Sequence, residues 1–318
     1  MKKIIIISGP TGVGKTAFVQ ELTEQLPCEV INADIGSFYT PLTIGTAKPD
    51  WQSEKVPHHL FDIINTPDNL SVVKFREMVQ ELVVQIQARG NIPVIVGGSV
   101  FYIYSLFFKQ TETPQVCKLL IKALEDKNVH DLWQELYEVD EERAKSIHKN
   151  DKYRLVRALS LIQSGQKKAS EYCAQFEPLD SFCFIEMQRD KKELHDQINK
   201  RVDCMMDTGW LQEVQLLMGS PWEAFLLQKK MIGYDLIIKY IHESGSGAEY
   251  EQLLDRIALA TRQYAKRQVT FLKKLHRELV QHLKQTQFDG SIDQINLTLC
   301  DHRLYIKQLV SSFKKEKL

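Results

Sequence analysis

Eight residues near the start of the chain, Gly9-Pro10-Thr11-Gly12-Val13-Gly14-Lys15-Thr16, carry the spacing G-x-x-x-x-G-K-[ST]. The chemistry of that spacing is phosphate binding. Its glycines let the backbone curl so that several N–H groups point inward. Its lysine reaches the terminal phosphate, and the hydroxyl that follows can ligate Mg²⁺. These roles fall to Lys15 and Thr16. The bland alternative, a Gly-rich turn that binds nothing, is disfavoured because motif and flanking elements agree. Two further groups stand where chemistry is possible. Asp34 closes the run Cys28-Glu29-Val30-Ile31-Asn32-Ala33-Asp34, and Ser99 follows Gly97-Gly98.

The elements that must position these groups are legible around them. Ile4-Ile5-Ile6-Ile7-Ser8 reads as a fully buried parallel strand. Ala17 to Leu26 has helical apolar spacing at Ala17, Phe18, Leu22 and Leu26. The N-terminus of that helix adds positive potential behind the loop. Cys28 to Asp34 reads as a second strand, and Ile92-Pro93-Val94-Ile95-Val96 as another. Ligands of parallel α/β sheets sit at the carboxyl ends of strands. Lys15, Asp34 and Ser99 are therefore expected on one edge. Residues 35–49, with Gly36, Pro41, Gly45 and Pro49, read as a structured loop. Ser71 opens a helix that ends before Gly90, and another starts near Val100.

From about residue 112 helical periodicity dominates, and 181–187 is the clear exception, a strand that returns the chain to the sheet. Further helices are expected over 191–207, 211–217, 231–241 and 250–279, with short spacers at Ser164-Gly165 and Ser244-Gly245-Ser246-Gly247. The expected architecture is α/β: a P-loop NTPase-like parallel sheet core with a mostly helical insertion domain. The expected division is 1–111 for the first part of the core, 112–200 for a helical insertion, and 201–318 for the helical remainder and an uninformative tail from about 285.

Composition narrows the class. Lys plus Arg and Asp plus Glu are both 41, which argues against blanket charge-driven nucleic-acid binding. A local basic face remains open, since residues 256–277 hold seven Lys/Arg and no acid. A solvated helix face is the plainer reading of that run. No apolar run reaches the roughly 20 residues that span a bilayer. Met1-Lys2-Lys3 passes at once into the first strand, so no signal peptide is expected and the protein is expected in the cytoplasm. The six cysteines form no CxxC and read as mostly buried thiols, with Cys204 and the Met205-Met206 pair in the core. His58 and His59 read as structural, Tyr39 as packing or contacting substrate, and Trp133, Trp210 and Trp222 as packing anchors.

A P-loop alone implies only a phosphorylated ligand. Nucleotide hydrolases usually add a hydrophobic strand ending in a Mg²⁺-binding Asp. The strand at 92–96 ends instead in Gly97-Gly98-Ser99, which weakens that reading. Asp34, the remaining acid at a strand end, is a candidate general base for an acceptor nucleophile.

At this point the chain resembles the tRNA dimethylallyltransferases, or tRNA isopentenyltransferases. The resemblance runs in collinear order from residue 4 to about 274. It rests on residues 9–16, on Ile31-Asn32-Ala33-Asp34 with Tyr39, on Ile44-Gly45-Thr46-Ala47-Lys48-Pro49 and on Pro57-His58-His59-Leu60. It continues through Pro93 to Gly98, His148-Lys149-Asn150-Asp151 and Arg154-Leu155-Val156-Arg157-Ala158-Leu159. It ends with Ile232-Gly233-Tyr234 and Thr261-Arg262-Gln263-Tyr264-Ala265-Lys266-Arg267-Gln268.

The resemblance implies transfer of a dimethylallyl group from its diphosphate to N6 of an adenosine on the 3′ side of the tRNA anticodon. It implies Mg²⁺ as cofactor, with Thr16 as its protein ligand, and the anticodon stem-loop and dimethylallyl diphosphate as partners of a monomer with no membrane role. It puts Asp34 in the role of general base, keeps the Ser99 hydroxyl near the diphosphate, and lets Lys230 carry the charge of a usual Arg. Residues Gly9, Pro10, Thr11, Gly12, Val13, Gly14, Lys15 and Thr16 would hold the diphosphate. RNA contacts are implied at Asp34, Ile35, Gly36 and Ser37, at Tyr153, Arg154, Leu155, Val156 and Arg157, and at Lys230, Gly233 and Tyr234. Arg262, Lys266 and Arg267 would face ligand or RNA. The chain departs from the family at Ile35, Ser37, Ser99, Val100, Lys230 and Phe271. Three alternatives stay open: prenyl transfer to a free adenine nucleotide, an RNA-binding paralogue that has lost transfer, and a small-molecule kinase.

Overall fold

The computed structural model describes residues 3–165, 167–243 and 247–315. Met1, Lys2 and most of the 244–247 spacer lie outside the described residues. The elements run β1 (Ile4–Ser8), α1 (Lys15–Thr23), β2 (Cys28–Asn32), β3 (His58–His59), α2 (Val72–Ala88), β4 (Ile92–Gly97) and α3 (Val100–Phe107). Then come β5 (Phe108–Lys109), α4 (Lys118–Glu125), α5 (Val129–Val139), α6 (Glu141–Ser146), α7 (Lys152–Ser164), β6 (Gln175–Phe176) and β7 (Phe182–Gln188). The chain finishes with α8 (Lys191–Asp207), α9 (Trp210–Leu217), α10 (Pro221–Lys229), α11 (Tyr234–His242), α12 (Gly247–Thr286), β8 (Gly290–Asn296) and α13 (His302–Lys315).

Among the described residues six strands form one parallel sheet in the order β3-β2-β4-β1-β7-β8. The register decides where chemistry can occur. Ser8 pairs with Gly97 and Glu186, and Asn32 pairs with Val96, so β1, β2 and β4 end level. The phosphate loop, Asp34 and Ser99 leave from that common edge. Apolar residues fill the strands because both faces are covered. Ile5, Ile7, Val30, Val94 and Ile185 share a core with Phe18, Leu22, Ile306 and Leu309 of α1 and α13. A second core joins Tyr39 and Leu42 to Trp210, Trp222, Phe225, Tyr234 and Ile257. Tyr39 is thus a packing residue, edge-on to Trp222 and Phe225.

The chain divides into two compact units, residues 1–106 with 179–318, and residues 107–178. The sequence reading put the insertion at 112–200. Its last stretch, β7 and α8, belongs to the sheet unit, because β7 pairs with β1 over Phe182–Glu186. The smaller unit packs α4 to α7 around Leu132, Leu136, Leu155 and Leu159, and β5 pairs antiparallel with β6.

Two expectations need correction. The segment from 285 is no loose tail: β8 completes the sheet and α13 packs on α1, burying Ile295, Ile306, Leu309, Val310 and Phe313. As an edge strand with mostly polar exposed positions, β8 carries a weak sequence signal. The thiols are mostly exposed as well. Cys28 and Cys183 are buried, whereas Cys117, Cys173, Cys204 and Cys300 are exposed. Cys204 turns away from the stripe of Leu194, Ile198, Val202 and Met205 that α8 buries. His58 and His59 are structural, bonding Val56 O and Glu29 at 2.8 and 2.7 Å. Among the described residues no helix is long and apolar enough to cross a membrane.

Gly233 shows how tightly the second core is built. Its φ is +84°, and a Cβ there would lie 2.0 Å from Trp210 Cη2 and 2.5 Å from Cζ2. Gly233→Ala is expected to destabilise the protein by about 2–5 kcal/mol, from left-handed strain plus overpacking. Urea denaturation checks this, and a shift under about 0.5 kcal/mol would contradict the close approach.

Candidate active site

The phosphate loop joins β1 to α1, with Gly12 and Gly14 at φ +79° and +109°. The Lys15 Nζ donates to the carbonyls of Gly9 and Pro10 at 3.0 and 3.2 Å. Burial holds its ammonium below the ordinary lysine value, the Asp34 charge opposes that shift, and Arg201 adds to it. The Thr16 side chain is exposed on the first turn of α1. Among the described residues no cluster of three or more His, Cys, Asp or Glu could cage a metal. Mg²⁺ commonly takes one or two protein oxygens and completes its shell with phosphates and water. The hydroxyl of Thr16 fits that pattern.

Asp34 is fixed from several directions. Its N–H donates to Asn32 Oδ1 at 2.9 Å, and Asn32 Nδ2 donates to Leu60 O at 2.9 Å. The Gly98 N–H donates to Asp34 Oδ1 at 2.6 Å. The Ser99 Oγ accepts from the Ile35 N–H at 2.9 Å, so the predicted hydroxyl holds the Asp34 loop in place. Val100, one of the departures named above, begins α3 without positive φ.

Gly98 marks the focus of the site. A Cβ there would lie 2.6 Å from Gln268 Nε2, 3.2 Å from Asp34 Oδ1 and 3.2 Å from Lys15 Nζ. Lysine, carboxylate and amide therefore converge on one backbone position, and only the missing Cβ lets them do so. Gln268 accepts from the Thr11 N–H at 2.9 Å and donates to Gly98 O at 2.7 Å. It ties the phosphate loop to the β4 turn.

Sequence reasoning assigned no role to three residues here. Besides Gln268 they are Arg201 and Tyr264. Arg201, half-buried on α8, is close enough to Lys15 and Asp34 to interact with both charges. Burial lowers its own guanidinium. Burial, followed by the Asp34 charge, pushes the Tyr264 hydroxyl up to about 12. It is a neutral donor at physiological pH. On α8 and α12, Arg201 and Gln268 interrupt otherwise apolar stripes, and that is the signal that was available.

The remaining predicted residues divide by burial. Ile35 and Gly36 are half-buried, while Ser37 is 5% exposed. Tyr234 is 1% exposed and its hydroxyl donates to Glu213 at 2.7 Å. Glu213 also accepts from the N–H groups of Thr43, Ile44 and Gly45, so Tyr234 and Glu213 hold the loop after Asp34. Gly233 is buried beneath Trp210. Lys230 is exposed at the C-cap of α10, with φ +48°. Its neighbour Met231 reaches within 3.9 Å of where a Gly36 Cβ would stand. Arg262 is half-buried and bonds Asn199 at 2.6 Å, whereas Lys266 and Arg267 are exposed. In the smaller unit Tyr153, Arg154 and Arg157 are exposed on α7, but Leu155 and Val156 face inward. Their side chains build the unit's core and reach no surface.

A phosphate-loop motif, a fixed carboxylate and half-buried cations meet at the carboxyl edge of a parallel sheet, the layout of a P-loop α/β enzyme. The chain belongs to the IPP transferase family, whose model matches residues 37–275. It is 31% identical over 301 residues to a tRNA dimethylallyltransferase of Petrotoga mobilis, covering 93% of this chain and 98% of that one. It is 34% identical over 286 residues to one from Staphylococcus aureus, with coverage of 85% and 89%. Among solved structures, a tRNA isopentenylpyrophosphate transferase from Bacillus halodurans superposes with a TM-score of 0.64 at 25% identity, covering 99% of this chain and 96% of that one. A eukaryotic dimethylallyltransferase acting on tRNA gives 0.71 at 26% identity, with coverage of 94% and 75%.

Proposed function

We propose that this protein transfers a dimethylallyl group from dimethylallyl diphosphate to N6 of the adenosine next to the anticodon, on its 3′ side, in tRNA. The convergence of Lys15, Asp34 and Gln268 on Gly98 carries the reading, because it sets a diphosphate site against a carboxylate. The relatives' names supply the acceptor and the group transferred. In the step, the N6 lone pair forms a bond to C1 of the dimethylallyl group. The C1–O bond breaks, and its electron pair leaves with the diphosphate. The N6 proton passes to Asp34. Gly98 N–H occupies Oδ1, so Oδ2 is the oxygen left for the amine. Loop N–H groups, Lys15 and Arg201 hold the charge that grows on the leaving diphosphate. Gln268 and Ser99 keep the phosphate loop and the Asp34 loop in register.

Mg²⁺, held by Thr16 and the phosphates, would neutralise part of the diphosphate charge. Ile35, Gly36, Lys230 and the exposed Lys266 and Arg267 would meet the anticodon loop; Tyr153, Arg154 and Arg157, exposed on α7, are the smaller unit's own candidates for RNA contact. We read the protein as a cytoplasmic monomer. The test is direct transfer of label from dimethylallyl diphosphate, with Mg²⁺, into unmodified tRNA bearing adenosine 3′ of the anticodon. AMP and ATP serve as parallel acceptors. Label in tRNA is expected. Label only in free nucleotide would move the function to adenylate prenylation. No label with RNA still bound would leave an RNA-binding protein without this chemistry.

A further inference from the structure

One exposed feature of the sheet unit is used by nothing described so far. Phe101 on α3 is 48% exposed, only two residues past Ser99. Its ring is nearly parallel to Tyr104, at 10° and 6.5 Å between centroids. Phe271 of α12 meets both rings edge-on, 6.4 Å from Phe101 and 5.8 Å from Tyr104. Three residues separate Phe271 from Gln268, about 4.5 Å along the helix axis. The aromatic ledge therefore begins within one helical turn of Gln268.

Cations lie on the same helix as Phe271. Lys274 Nζ stands 6.0 Å from the Phe271 centroid, while also pairing with Glu278 at 3.6 Å. The Arg267 guanidinium stands 5.8 Å from the ring of Tyr264. Lys266, Lys273 and Arg277 are exposed on α12, and no acid interrupts residues 256–277. One exposed ring with two half-buried neighbours beside a run of cations matches the physics of single-stranded nucleic-acid binding, where bases stack and phosphates pair. An isoprenoid chain would instead favour a closed apolar pocket free of charge.

We propose that Phe101, Tyr104 and Phe271 form a stacking platform for nucleobases flanking the acceptor adenosine, with Arg267 and Lys274 meeting their phosphates. This rests on the transfer function proposed above. It adds a stacking contact, tolerant of base identity, that holds the loop open while the acceptor base leaves its stack.

The experiment measures equilibrium binding of a labelled anticodon stem-loop RNA to wild type, Phe101→Ala, Phe101→Leu, Phe271→Ala and Phe271→Trp, alongside KM for dimethylallyl diphosphate. Phe101→Leu keeps apolar bulk without a ring, which separates stacking from packing. Each ring removal is expected to weaken RNA binding about 5- to 150-fold. Phe271→Trp should retain it. The slope of log Kd against log salt should not change, because no phosphate contact is lost. Donor KM should stay within twofold. An abasic nucleotide beside the acceptor should cost wild type a similar factor and the ring variants little more. Unchanged RNA affinity in all three ring-removing variants, or a rise in donor KM with RNA affinity intact, would overturn the platform. Wild type that never labels RNA would overturn the transfer reading itself, so the two failures are distinguishable.

Discussion

Asp34→Asn should lower the rate of transfer to RNA about 10²- to 10⁴-fold, the range for loss of a positioned general base. Donor affinity should hold or improve. The substitution keeps the shape of the side chain and the oxygen that accepts from Gly98 N–H. What it removes is the oxygen able to take a proton and one negative charge beside Lys15 and Arg201. Losing that charge favours an anionic donor. The check is single-turnover transfer together with direct donor binding. A rate within threefold of wild type would remove Asp34 from proton transfer. Equal losses in rate and donor affinity would make it a structural brace of the β4 turn.

The elements that hold Asp34 were readable because each leaves a local mark. A strand buried on both faces reads as an unbroken apolar run, and the P-loop glycines have a fixed spacing. The order of β1, β2 and β4 along one edge then follows from parallel topology. Residues contributed from distant helices are harder to read. Arg201 falls within the buried stripe of α8, at about 100° per residue from Ile198 and Val202. Gln268 does the same on α12, among Ala265, Leu272 and Leu275. A polar side chain in an apolar stripe signals a buried partner but does not say which. Their partners, Lys15, Asp34, Thr11 and Gly98, lie far away in sequence. Leu155 and Val156 err in the opposite direction. A matching motif carries core and surface residues together, and only helix geometry separates them from Tyr153, Arg154 and Arg157.

Lys15→Met should raise donor KM about 10- to 200-fold, the worth of one to two charge-assisted hydrogen bonds, and leave RNA affinity unchanged. In the structure the ammonium is held by the carbonyls of Gly9 and Pro10. A bound diphosphate replaces these neutral acceptors with anionic oxygens, which strengthens each bond. The lowered lysine value gives the prediction a second readout. The donor binds the ammonium form, so donor affinity should decline as pH rises through that lowered value, and Lys15→Met should lose this decline. Stability responds in the opposite sense. The folded value lies below the unfolded 10.5, so the unfolded chain binds more protons in that window. The burden of the buried charge is complete below the folded value and lifts as pH climbs toward 10.5. Wild type should therefore gain stability relative to Lys15→Met across that window while losing donor affinity. Both trends follow from one desolvated ammonium. A decline in donor affinity that persists in Lys15→Met would assign it to another group, with Arg201 the next cation in the site.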